Sequence, residues 1–134
     1  MTVISDLKIQ TDTGRRKIVD VETTNEWQWV VMHSVPGILI SRAVATNVGE
    51  DNNDMDVIVR YTAFDATDDQ GEPISPGGDA ATEPWEDHDS ADDVSDGASA
   101  DSEKRALVGG FAIGVKSSLD DNHTTARIVI RGVR

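Results

Sequence analysis

The chain has 134 residues and a mass of 14.5 kDa, a size that holds one core and buries enough surface to fold without a metal or disulfide staple. Cysteine is absent, which removes thiolate nucleophiles, disulfide frameworks, iron–sulfur ligation and cysteine-built zinc sites. The 25 acidic and 12 basic residues leave a formal net charge of −13, which opposes nonspecific nucleic-acid binding and adhesion to an anionic bilayer. The sequence shows neither a basic stretch leading into an apolar signal segment nor an apolar run long enough to span a membrane.

Along the chain, Val3, Ser5, Leu7 and Ile9 alternate with Ile4, Asp6, Lys8 and Gln10, the period of two of a half-buried strand. Thr11-Asp12-Thr13-Gly14 follows as a turn, and Ile18, Val19 and Val21 make a short second strand. After the polar Thr23 to Glu26 corner, Trp27, Trp29 and Val31 share a face opposite Gln28, Val30 and Met32, until Pro36-Gly37 interrupts the run. Strands are predicted from Ile38 to Thr46 and from Met55 to Phe64; the polar stretch between them, Gly49 to Asp54, makes them read as a hairpin. In the second of these, Met55, Val57, Val59, Tyr61 and Ala63 line one side, and Asp56, Ile58, Arg60, Thr62 and Phe64 the other.

Two further strands, Ala106 to Lys116 and Thr125 to Val133, read as a second hairpin around Ser117 to Thr124. Gly109-Gly110 and Gly114 inside the first point to a bulge, a bend or the close approach of another backbone. With about seven strands and no amphipathic helix, the expected fold is all-β, an antiparallel β-sandwich or a partly closed β-barrel. Residues 1–134 form a single β domain in this reading, and residues 65–103 a long acidic loop or arm inserted between strands.

That insert concentrates the charge. Asp65 to Glu103 carries 14 acids and no Lys or Arg, whereas the other 95 residues carry 11 acids and 12 bases. Its small, acidic and Pro/Gly-containing sequence cannot build a core alone. Cations, neighbouring chains or the packing of Trp85 on the β body are the means available to order it.

No catalytic constellation stands out. No serine lies in Gly-x-Ser-x-Gly, the acids mark no paired cleft, and Ser75-Pro76-Gly77-Gly78-Asp79 and Gly109-Gly110 lack the Lys-Ser/Thr of a phosphate loop. Setting Gly71 at position six of a calcium loop puts Ala66 where an oxygen ligand is required. The carboxylates best arranged for a hard cation are Asp51, Asp54 and Asp56, and Asp65, Asp68 and Asp69; His33, His88 and His123 have no zinc spacing. The expected inventory is therefore no cofactor beyond weakly bound cations, and no enzymatic activity. Asn122-His123-Thr124 matches a glycosylation acceptor.

Interaction signals lie elsewhere. Trp27 and Trp29 form either a binding strip or core anchors, and Trp85, among Glu83, Pro84, Glu86 and Asp87, is the expected contact of the insert with the body or an adjacent subunit. Arg127, Arg131 and Arg134, with Arg15, Arg16 and Lys17, form a basic surface on which the insert of a neighbouring copy can dock.

Asp outnumbers Glu by 18 to 7 and Arg outnumbers Lys by 8 to 4, a balance that resembles the proteins of salt-in halophilic archaea and of their viruses. The first functional expectation is a noncatalytic structural subunit of a macromolecular assembly: a capsid decoration, tail or connector of a halophilic archaeal virus. Its partners would be other protein subunits in a homo-oligomer or a larger particle, with neither nucleic acid nor membrane. Its place would be the virion, assembled in the host cytoplasm, or otherwise the cytoplasm. The alternative is a soluble protein- or carbohydrate-binding β-sandwich module that uses its tryptophans or loop tips, and a hydrolase with converged acids ranks third.

Overall fold

A computed structural model describes residues 2–6, 16–32, 39–62, 69–70, 74–101 and 110–133. They form nine strands: β1 (Thr2–Asp6), β2 (Arg16–Glu22), β3 (Gln28–Met32), β4 (Leu39–Asn47), β5 (Met55–Thr62), β6 (Glu86–Val94), β7 (Ser99–Asp101), β8 (Gly110–Ser117) and β9 (Thr125–Val133). The all-β sandwich is as expected, with sheets ordered β1-β3-β8-β5-β6 and β2-β9-β4-β7. All pairs are antiparallel except β1 on β3. Among the described residues, no helix is long and apolar enough to cross a membrane.

The strand order corrects both expected hairpins. β4 and β5 lie in different sheets, as do β8 and β9. Strands β2 to β5 instead pair in turn with β9, β8, β7 and β6, and the ribbon closes on itself through β4–β9 and β5–β8. This is the double Greek key of a jelly roll. Apolar alternation identifies the buried face of each strand but does not say which sheet the strand enters, so both connections read as local turns.

The remaining correction concerns the acidic arm. Within residues 65–103, residues 86–101 form the edge strands β6 and β7, one on each sheet. Val94 reaches the inner core with Ala91, Ala98 and Ala100 packed beside it, while the carboxylates take exposed or half-buried positions. The segment has no core of its own because it uses the core of both sheets. Residues 65–68, 71–73 and 102–103 lie outside the described residues, as do His33, Pro36-Gly37 and Gly109.

Between the sheets lie Val30, Met55, Val57, Val59, Phe111, Ile113 and Val115 from one side, and Val21, Ala43, Ala45, Ala126, Ile128 and Ile130 from the other. One end of the sandwich is closed by a buried polar knot centred on Asn47. Its Nδ2 donates to the Asn53 carbonyl (2.8 Å) and the Val94 carbonyl (2.9 Å), while its Oδ1 accepts from the Gly49 N–H (3.1 Å) and the Thr124 hydroxyl (2.7 Å). Three inter-strand loops are thereby tied by one side chain. A Cβ at Gly49 would collide with the Thr124 hydroxyl, so only glycine fits there.

Removing this amide strands several buried partners, each worth about 1–3 kcal/mol. Asn47→Ala is expected to lower the free energy of unfolding by about 3 kcal/mol or more, against about 1 kcal/mol for the neighbouring half-buried Thr46→Ala, which loses a single hydroxyl contact with Ser99. Urea denaturation of the two variants measures the difference.

Candidate functional site

The outer face of the five-stranded sheet is where side chains of different chemistry converge. On central β8 this face carries Ala112, Gly114 and Lys116; Trp29 of β3 and Ile58 of β5 are the direct partners of Gly114, and Val31 and Arg60 those of Ala112. Small residues in the middle let large ones lie across them. A Cβ at Gly114 would stand 2.7 Å from Cζ3 of Trp29, so the close approach expected at this glycine comes from an indole ring and not from a backbone.

Trp29 is fully buried, and so is Arg60, whose guanidinium carbon lies 5.0 Å from the indole centroid. Residues 74–85 fold back over this face as a strap. Trp85, 3 % exposed, joins Trp29, Ile58 and Ala112 in a second apolar cluster with Ile74 and Trp27 against it. The Trp85 indole N–H donates to the Ile74 carbonyl (3.1 Å), and its backbone N–H to the Thr82 carbonyl (2.7 Å). Arg60 fastens the strap from below: Nη1 donates to the Pro76 and Gly78 carbonyls (2.8 and 2.9 Å), and Nε to Asp87 Oδ1 (2.7 Å). Gly77, between those two carbonyls, has φ +94°, and a Cβ there would run into the Ala80 carbonyl.

Beside the strap opens a cleft of about 220 Å³ lined by Asn25, Glu26, Trp27, Gly78, Asp79 and Lys116. Trp27 lies 5.8 Å from Trp29, ring centre to ring centre, and is only half-buried. Asp79 Oδ1 accepts from the Trp27 indole N–H (3.0 Å) and from Lys116 Nζ (3.1 Å), and Nζ sits 4.9 Å from the Trp27 ring centroid. The Trp27 N–H and then the Lys116 ammonium hold the Asp79 carboxyl below the usual carboxylate range. The rim is braced where Asn25 Nδ2 donates to Asp121 Oδ1 (3.0 Å) and Asn25 Oδ1 accepts from the Asp121 N–H (2.7 Å).

The residues singled out from sequence therefore divide. Of the alternatives open for them, Trp29 takes the place of a core anchor and Trp85 contacts its own β body, so neither is exposed as an interface residue. Trp27 remains at the surface. Arg127 is exposed and holds Asp20 in a two-bond pair, Nε to Oδ1 at 2.9 Å and Nη2 to Oδ2 at 3.1 Å, on the outer face of the other sheet. Arg131 follows on that face, with Arg16 and Arg42 as its register partners.

Among the described residues, no three of His, Cys, Asp and Glu are grouped to hold a metal. Asp56 Oδ1 accepts from the Ser118 hydroxyl and the Asp93 N–H. Asp51 and Asp54 stay in their loop, Asp69 lies in a turn, and Asp65 and Asp68 are outside the described residues. His88 packs edge-on against Tyr61 (5.8 Å). Ser117 and His123 lie 2.9 Å apart, Oγ to Nδ1, but Ser117 is 4 % exposed and also bonds the Thr23 hydroxyl; the pair belongs to the closed loop end. Asn122 is exposed, whereas Thr124 is buried on Asn47.

Sequence reasoning missed Asp79, Lys116, Asn25, Glu26 and Arg60. The legible hint was Gly114 between two residues with outward Cβ atoms, facing the strand that carries the tryptophans.

No family model and no curated protein matches the sequence. Among solved structures, the crystal structure of PirA aligns over 94 % of this chain and 100 % of that one, with a TM-score of 0.48 and 14 % sequence identity.

Because the Asp79 carboxyl titrates lower when folded than when unfolded, its contacts stabilise fully above the ordinary carboxylate pKa and are lost as pH falls through the depressed one. The Trp27 emission is expected to hold steady from neutral pH down to about pH 4 and to change below it. In Asp79→Asn that acid transition is expected to vanish, as a fluorescence titration of the two proteins checks.

Proposed function

We propose that the protein is a noncatalytic recognition module that holds a neutral saccharide ring in the Trp27 cleft. The observation that carries this reading is Trp27 itself, a half-buried indole beside a paired acceptor and donor, Asp79 and Lys116, on a braced surface. A sugar has an apolar ring face that suits an indole and hydroxyls that both donate and accept; a carboxylate next to an ammonium meets two adjacent hydroxyls. The cleft is smaller than the 300–1,000 Å³ typical of enclosed small-molecule sites, which suits a single ring at the end of a glycan and an affinity on the order of millimolar.

Fluorescence titration with neutral mono- and oligosaccharides tests it. The expected result is saturable quenching by one sugar class, lost in Trp27→Ala and weakened roughly tenfold in Asp79→Asn, as for a lost hydrogen bond to a charged group, with circular dichroism unchanged. Absence of any response across the panel, or equal quenching in Trp27→Ala, overturns the reading.

A second reading has its own support. Jelly rolls serve as capsid subunits as well as lectin domains, and the aspartate-rich composition suits concentrated salt, so a structural subunit of a halophilic archaeal virus remains a proposal alongside the module. Solution mass by light scattering in about 2–3 M KCl, where charge repulsion is screened to a few ångströms, separates them. A discrete oligomer favours the assembly subunit, and a 14.5 kDa monomer favours the module.

A further inference from the structure

The Trp27 cleft contains an occupant supplied by the chain itself. Lys116, next to last in β8, lies on the same face as Gly114, and its ammonium reaches both the Asp79 carboxylate (3.1 Å) and the Trp27 ring (4.9 Å to the centroid). Asp56, its register partner on β5, has Oδ1 engaged by Ser118 and Asp93. An ammonium over an indole with a carboxylate beside it is how proteins recognise organic cations, and a chain of net charge −13 enriches such cations at its surface. An indole face and a carboxylate are the makings of a cation site, and here Lys116 supplies a tethered ammonium to both, at an effective concentration on the order of millimolar or above.

We propose that Lys116 is the specificity-determining residue of the cleft: it occupies the cation position and excludes organic cations, leaving the site to uncharged ligands. The proposal rests on the Trp27 cleft being the ligand site, but not on the ligand being a saccharide.

Tetramethylammonium chloride is the probe, titrated at low ionic strength against the full chain and followed by tryptophan fluorescence and by the indole N–H resonances. Lys116→Met is expected to bind it roughly tenfold or more tightly than the native protein, the scale of a cation–π contact freed from a competitor. No comparable gain is expected for tert-butanol, which matches it in shape without charge, or for the Lys116→Met/Trp27→Ala pair. Lys116→Arg is expected to keep cations out.

Equal affinity of native and Lys116→Met proteins for tetramethylammonium overturns the proposal, as does an equal gain for tert-butanol. Lys116→Gln provides the same comparison if the methionine variant does not fold. A gain for the cation together with a native protein blind to sugars removes the saccharide reading and supports the role of Lys116. Sugar binding without the cation gain does the reverse.

Discussion

A fully buried guanidinium underlies the arrangement. Arg60 stands on the outer face of β5, where solvent would be expected, and it is out of water because a strap of the chain crosses above it. Burying an unpaired cation is prohibitive, and even a paired one recovers its lost hydration only through good geometry. Here the compensation comes from two carbonyls, one carboxylate and an aromatic face. The same bonds set the path of residues 76–78 and so present Asp79 to Trp27 and Lys116. The cleft is thus downstream of a cation that does not line it.

The acidic segment shows how a poor core former becomes ordered. Trp85 and Ile74 serve one face of the five-stranded sheet, while Ala91 and Val94 serve the other. Its carboxylates are placed where they are least costly, along a strand that is the edge of the sheet among the described residues. β6 carries Glu86, Asp87, Asp89, Asp92 and Asp93, and its register against β5 slips twice. Charges and bulges are both means of blunting an edge that would otherwise recruit another strand. Concentrated negative charge here has a local reason in the fold, independent of the medium in which the protein works.

Legibility from sequence follows the range of the interaction. The alternation of Met55 to Thr62 and of Thr125 to Ile130 reports which side chains share a face, so the inner faces of β5 and β9 could be read directly. Which strands pair is a property of distant residues, and nothing in Asn47 to Asp54 marks a crossover rather than a turn. The outer face of β5 illustrates the same limit: Asp56, Ile58, Arg60 and Thr62 look like a solvated stripe until residues 74–85 are known to lie above it. Trp27 and Trp29 are two positions apart on one face, yet one is an anchor and the other a surface group. The strap covers Trp29 but meets Trp27 only at its edge, through Asp79.

The pairing of β2 with β9 joins Arg16–Glu22 to Thr125–Arg131, and this has a consequence for how the chain reaches its folded form. During synthesis, β9 emerges after every other described strand of the four-stranded sheet, so β2 and β4 have no ladder to join them until it arrives. Non-local pairing of this kind is slow because loop closure must precede the contacts that repay it. The acidic segment, which precedes β9 in the chain, gives incomplete chains a negative charge that opposes their association while apolar strands are still uncovered.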